Sequence, residues 1–256
     1  MHIIARFAAG PACAGLAFVS FVPAAVSSEA VAANEESGIP VGAGDSGPGI
    51  EISGGWGGTL ASAYLFQGVD LSDGNPVLQP ELFVAVNNFS AALWFNHDLS
   101  AERSDEFDFY LQHDWQIRNF SLGTGYAYFR YPHRGWDPSQ EFYFDLGVDA
   151  PLSPSLSFHY DFDAGKGSYS TLSISRGIEH PVVPVSFGAN LFYQQNYYEA
   201  TGFPALELTT GTEHSFGAVT MSPAISYIAT WENGDFTEDA AVPSKWLFAV
   251  NFAQEF

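Results

Sequence analysis

Nine carboxylates define the chemistry open to this chain. Glu81, Asp108, Asp114, Asp145, Asp149, Asp161, Asp163, Glu207 and Glu213 each fall on the polar set of a stretch in which large apolar residues alternate with polar ones. Basic residues that could oppose them on those faces are few, chiefly Arg118 and Lys245. Unpaired carboxylates in a dry core carry a prohibitive desolvation cost. A water-filled interior removes that cost, and its sign favours cations or neutral polar solutes over anions. The alternative is that these acids lie at the rims of the fold and are simply solvated.

Other arrangements are weaker. His159, Asp161 and Asp163 share a face at i, i+2 and i+4, which is a metal-like set. Neighbours on such a row are about 7 Å apart along a single strand, so a second strand would have to supply the remaining ligands. No metal is assigned. His97 is the one histidine placed for hydrolysis at an outer rim, between Phe95 and Leu99, but the rows expected beside it contain no serine. No Ser-His-Asp set, phosphate-cradling loop, zinc spacing or cofactor motif is present, and no enzyme activity is expected.

The elements that would carry these residues are strands. Lys245 to Phe256 reads KWLFAVNFAQEF, with Trp246, Phe248, Val250, Phe252, Gln254 and Phe256 on one face and Leu247, Ala249, Asn251, Ala253 and Glu255 on the other. It resembles the C-terminal strand of bacterial outer-membrane barrels, in which an apolar row ending on an aromatic residue is read by the assembly machinery. Phe252 and Phe256 are the residues expected to carry that signal, and Gln254 departs from the row. The same alternation predicts strands over 61–67, 77–86, 89–99, 107–117, 120–131, 141–150, 156–163, 168–178, 183–197, 206–216 and 221–232. With the last stretch these make twelve, an even number, as in single-chain bacterial barrels. The connections sort by parity. Those after even strands are short, such as Asn87-Asn88 and Arg118-Asn119. Those after odd strands are mostly longer, such as 68–76, 132–139, 198–205 and 233–244. Short periplasmic turns and long outer loops are the rule for such barrels.

Composition agrees. Aromatic residues make up 16% of the 256-residue chain and charged residues only 14%, too little charge to cover a soluble surface comfortably. A membrane barrel needs only half of each strand to be apolar. The main soluble rival is a secreted β-sandwich whose outward aromatic rows are covered by a second sheet. Acidic residues outnumber basic ones 29 to 8, and the net charge of −21 argues against nucleic acid as a partner. The segment 1–27 reads as a signal peptide, with Arg6 before an apolar run and small residues near Ala25 and Ser27. It would carry away Cys13, the single cysteine. The segment 28–50 reads as a flexible lead-in, and 51–256 as the barrel.

One stretch carries a family resemblance. Ser62, Tyr64, Phe66 and Gly68, followed by Pro76 and then Gln79, resemble the opening of TorF-family porins, where Ser-x-Tyr-x-Phe-Arg-Gly precedes a polar loop, a proline and a glutamine. Gln67 stands where the family usually has arginine, so a role for that cation does not carry over. The resemblance implies an outer-membrane barrel with a transport role. The expected fold is therefore an all-β, antiparallel, up-and-down transmembrane barrel. Its expected partners are outer-membrane lipid, the barrel assembly machinery and small polar solutes. A barrel with no conductance, serving a structural or ligand-binding role, is the alternative. In that case inward Phe83, Tyr110, Tyr143 and Phe192 are expected to block the lumen.

Overall fold

The computed structural model describes residues 49–180, 183–231 and 244–256. The expected signal peptide and nearly all of the expected lead-in lie outside the described residues, as does most of the last outer loop. Twelve long strands form the wall: β1 (Ile52–Ala61), β2 (Val77–Val86), β3 (Phe89–Asp98), β4 (Arg103–Ile117), β5 (Phe120–Arg130), β6 (Ser139–Val148), β7 (Ser155–Asp161), β8 (Gly167–Ile178), β9 (Val185–Tyr197), β10 (Ala205–Gly211), β11 (Val219–Thr230) and β12 (Lys245–Glu255). Each pairs antiparallel with its neighbours in sequence. β1 pairs with β12 from Gly55 opposite Glu255 to Ala61 opposite Ala249, and this closes the ring. Short pieces at Ala200–Gly202 and His214–Phe216 extend the sheet at its ends.

Closure satisfies every strand edge, which is what a spanning β structure requires in lipid. It also fixes an inside and an outside. Trp246 and Phe248 are 61% and 56% exposed, whereas Asp108 and Glu207 are 1% exposed. Large apolar side chains therefore face out and the polar set faces in, the reverse of a soluble domain. The sandwich expectation fails here, because a single closed ring carries the outward rows and, among the described residues, no second sheet covers them.

The alternation of the sequence fixes all but one of the strands closely. The first was expected over 61–67, but β1 ends at Ala61 and begins at Ile52. The glycines of this segment hid the strand, since glycine disfavours a strand interior when nothing else acts on it. Here side chains of β2 press against the β1 backbone. A β-carbon on Gly55 would lie 2.5 Å from Phe83 Cε1, and one on Gly57 would lie 2.9 Å from Glu81 Oε1. Residues 62–67 do not continue the wall, as described below. Short connections turn the chain at the end of the barrel where β1 begins, with Asn87 and Arg118 at positive φ (52° and 57°).

Candidate functional site

The barrel interior is the site that the fold creates. Strand registers bring the inward rows into layers. Asp108 faces Trp94 on β3 and Phe129 on β5; Glu141 faces Asp161; Tyr143 faces His159, which in turn faces Tyr169. Of the nine acids singled out from sequence, Glu81, Asp108, Asp114, Asp145, Asp161 and Glu207 take inward positions in wall strands. The other three lie past strand ends. Asp149 is exposed in the turn after β6, and Glu213 is exposed between β10 and the His214–Phe216 piece. Asp163 lies in the loop after β7 and accepts from Gln140 Nε2 at 2.9 Å. The chain leaves the sheet one or two residues before each of these acids, although the alternation in sequence runs on through them. His159, Asp161 and Asp163 consequently do not share one wall row. Instead, His159 Nδ1 lies 2.9 Å from Glu141 Oε2, and Asp161 accepts from Ser139 Oγ at 2.5 Å.

The largest departure from the sequence reading is residues 62–76. They leave β1 at the outer end and fold down into the lumen as a small hairpin, Leu65–Phe66 paired with Val69–Asp70. Its turn is Gln67-Gly68, both at positive φ (49° and 85°), the pattern of a two-residue type I′ connection. Tyr64 and Leu71 close its base through a Leu71 N–H to Tyr64 carbonyl bond of 2.8 Å. Alternation now works across the lumen. Ala63 and Leu65 pack among Phe192, Ala205, Ile228 and Leu247. Phe66 turns to the opposite side and packs edge-on against Tyr169, ring centres 5.4 Å apart. Tyr64 lies against Trp94 at 5.7 Å. An isolated two-stranded hairpin is marginal in water, so the lumen walls hold this one in place.

Polar contacts fix its edges. Asp70 pairs with Lys245 at the start of β12 and accepts from the Ser72 N–H at 2.9 Å. Burial raises the Asp70 carboxyl, but Lys245 and the backbone N–H groups of Ser72 and Gly74 outweigh it, leaving the group below its ordinary value. Arg134, in the loop between β5 and β6, donates to the Leu71 carbonyl and lies 3.0 Å from Asp105.

All of the motif residues except Gln79 belong to this inward segment or its ends. Ser62 accepts from the Phe248 N–H at 3.0 Å and anchors the point where the chain leaves the wall. Gln79 is on β2 and donates to Asn96 at 3.0 Å. Nothing in strand periodicity signals the inward fold. The one usable cue was Gln67-Gly68 between apolar pairs, a hairpin signal that the expectation of a wall strand absorbed.

Below the hairpin, rings and carboxylates alternate. Tyr143, His159 and Tyr169 form a three-ring stack, with centres 4.9 and 4.5 Å apart and near-parallel planes. Glu141 accepts from the Tyr169 hydroxyl at 2.7 Å as well as contacting His159. Phe83, Tyr110, Tyr143 and Phe192, the residues expected to block the lumen of a non-conducting barrel, do share the interior, and Phe192 packs against Ala63 and Leu65 of the hairpin. Toward the turn end the lining changes to Ser157, Thr171, Ser173, Ser175, Asp114 and Asp145, which are only half-buried. The hairpin thus fills the outer half of the lumen, and part of the polar lining toward the turn end is more accessible.

His97 has a partner that sequence did not supply. β4 starts at Arg103, four residues earlier than expected, and an irregularity between Asn96 and His97 sets His97 opposite Ser104. Their side chains are 3.1 Å apart on the exposed outer face. The flanking acids turn the other way: Asp98 to Asn75 at 3.0 Å and Asp105 to Asn96 at 2.7 Å. This pair is a polar contact at the rim, and among the described residues no acid completes a hydrolytic set with it.

A closed ring of twelve antiparallel strands, apolar outside and polar inside, is the fold of outer-membrane porin-like barrels. Among solved structures, the chain is similar to the NanC porin, with a TM-score of 0.50 and 12% identity over 78% of this chain and 98% of that one. It is also similar to the KdgM porin (TM-score 0.49, 11% identity, 80% and 99% covered) and to an outer-membrane channel from Pseudomonas putida F1 (0.43, 11%, 85% and 100%). At these identities the likeness concerns the fold. No protein-family model matches the chain, and no curated protein matches it.

Proposed function

We propose that this chain is an outer-membrane, porin-like channel, narrow in bore and selective for cations and neutral polar solutes. The observation that carries this reading is the inside-out surface: a ring with an apolar exterior and a lumen lined by carboxylates. An exterior of this kind belongs in hydrocarbon, which supports lipid as the surrounding partner. Twelve strands lie between small barrels filled by side chains and wide aqueous porins, so wall charge governs which ions enter. The resemblance of Ser62, Tyr64, Phe66, Gly68, Pro76 and Gln79 to TorF-family porins supports the transport half of the reading. In the same reading Phe252 and Phe256, on the apolar row of the closing strand, address the barrel to its assembly machinery after a signal peptide over 1–27 has been removed. No enzymatic role enters.

The test is planar-bilayer conductance of the purified barrel under a salt gradient. A reversal potential of cation-selective sign is expected, weakened at high salt by screening. A wild-type barrel that conducts and prefers anions would refute the charge reading. The lumen hairpin favours a second reading, a non-conducting barrel with a structural or ligand-binding role. Conductance that stays at zero, even with the hairpin removed, would support that reading instead.

A further inference from the structure

The layer beneath Tyr64 is unusual in its polar accounting. Glu106 and Asp108 are each no more than 2% exposed, yet Glu106 Oε2 and Asp108 Oδ1 have no hydrogen-bond partner among the described residues. What they do have is partial. Tyr64 lies close enough to Glu106 and Asp108 to feel both carboxyls, and the Tyr110 hydroxyl donates to Asp108 Oδ2 at 3.1 Å. Arg134 is the cation that acts on Glu106, but its guanidinium is held 3.0 Å from Asp105 and donates to the Leu71 carbonyl. Aromatic rings bound the same space: Trp94 directly opposite Asp108 on β3, Phe129 opposite it on β5, and Tyr110 two residues along β4. A phenol is a poor answer to two buried carboxylates. It offers one proton and no charge, whereas a cation would stabilise the ionised form of both desolvated carboxyls.

We propose that the Ser62–Pro76 hairpin is a displaceable plug, and that Tyr64 occupies, in the closed barrel, a seat for an arylalkylammonium solute bounded by Trp94, Tyr110, Glu106 and Asp108. The ring of such a solute replaces the Tyr64 ring against Trp94, 5.7 Å away in the closed state. Its ammonium replaces the hydroxyl, supplying three donors and a charge where Tyr64 supplies one donor. Aromatic walls add cation–π attraction in a desolvated seat. A metal ion fits less well, because among the described residues no three His, Cys, Asp or Glu side chains converge. The hairpin is suited to leave as a unit. It closes on its own ladder, and its hold on the walls rests on polar ties at Asp70 and Gln67, on ring packing, and on the apolar packing of Ala63 and Leu65. This inference rests on the barrel being a solute channel and names the solute class of its narrow zone.

Tyramine serves as the probe, with 4-ethylphenol as a neutral ring of similar shape, in isothermal titration of the folded barrel in detergent. Tyr64→Ala is expected to bind tyramine about tenfold or more tighter than the wild-type chain, and 4-ethylphenol is expected to show no such gain. Adding Asp108→Asn to Tyr64→Ala is expected to remove the gain. Equal binding of both probes, or binding of neither, overturns the proposal. If Tyr64→Ala does not fold, Gly68→Cys with Ala205→Cys decides. A β-carbon on Gly68 lies 2.8 Å from Ala205 Cβ, close enough for the pair to cross-link after a small shift. The reduced protein should bind tyramine and the oxidised protein should not; the same result in both states overturns the proposal. None of these readouts needs current. A barrel that binds tyramine but never conducts would refute the channel reading and leave the seat standing.

Discussion

Gln194 on β9 donates through Nε2 to Gln67 Oε1 at 2.9 Å, across 127 positions of sequence. Both side chains are buried, and Gln67 is the tip of the hairpin that fills the outer lumen. This is the position where the resembling family carries arginine. In this chain a neutral amide pair does the tethering, and no charge is left over at the tip.

Removing that tether should loosen the plug. A neutral buried hydrogen bond contributes about 0.5–1.5 kcal/mol, so Gln67→Ala or Gln194→Ala is expected to raise the open fraction in single-channel recordings by up to about tenfold. The double variant should gain little over either single one, because one bond is lost in all three. Fully additive gains would show that the two residues act separately.

The Asp70–Lys245 pair gives the plug an acid limit. Asp70 sits below its ordinary value in the folded barrel, so the stabilisation it gives is complete above its unfolded value and is lost as pH falls through the folded one. Conductance is therefore expected to be flat from neutral pH down to about pH 4 and to rise only below that, near and under the unperturbed carboxyl range. Asp70→Asn should show the raised conductance already at neutral pH and lose the acid step. A step near pH 6 in the wild type would place control elsewhere.

Selectivity should follow position in the lumen. Asp114 and Asp145 are half-buried on the inward rows toward the turn end, while Asp149 lies in an exposed turn. Asp114→Asn with Asp145→Asn is expected to lower cation preference measured by reversal potential, and Asp149→Asn to leave it nearly unchanged. Equal effects would mean that rim charge, not lumen charge, sets selectivity.

Gly125 should not accept a side chain. A β-carbon there would lie 2.2 Å from Tyr143 Cζ and 2.5 Å from the Leu111 carbonyl oxygen. The ring could shift, but the carbonyl belongs to the strand ladder. Gly125→Ala is expected to cost about 1–3 kcal/mol, read as a lower midpoint in the heat-induced gel shift of the folded barrel. An unchanged midpoint would show that β5 can move away from Tyr143.

Sidedness is open to direct labelling. Cysteines placed at Asn88 and at Trp136 are expected to react from opposite faces of the membrane, Trp136 from the cell exterior. Exterior labelling at both would refute the up-and-down topology in lipid.

What the sequence determined by itself was the wall. Alternation along β4, Phe107 and Phe109 against Asp108 and Tyr110, specifies a strand and its two faces, because successive side chains must point oppositely. Parity of loop length then gives the ring its expected orientation. Carboxylates such as Asp108 and Glu207 on the polar rows announce an interior unlike a dry core. Tertiary structure alone decided what occupies that interior. Residues 62–67 alternate like a wall strand, and although Gln67-Gly68 marks a turn, nothing local says that the hairpin packs on the lumen side of the sheet. The difference lies in partners far away in sequence. Gln194, Ala205 and Lys245 meet the hairpin only once the ring is closed. The same holds for Ser104, brought beside His97 by an irregularity in pairing between β3 and β4. Period-two patterns report which face a residue takes; register and closure decide what it meets there.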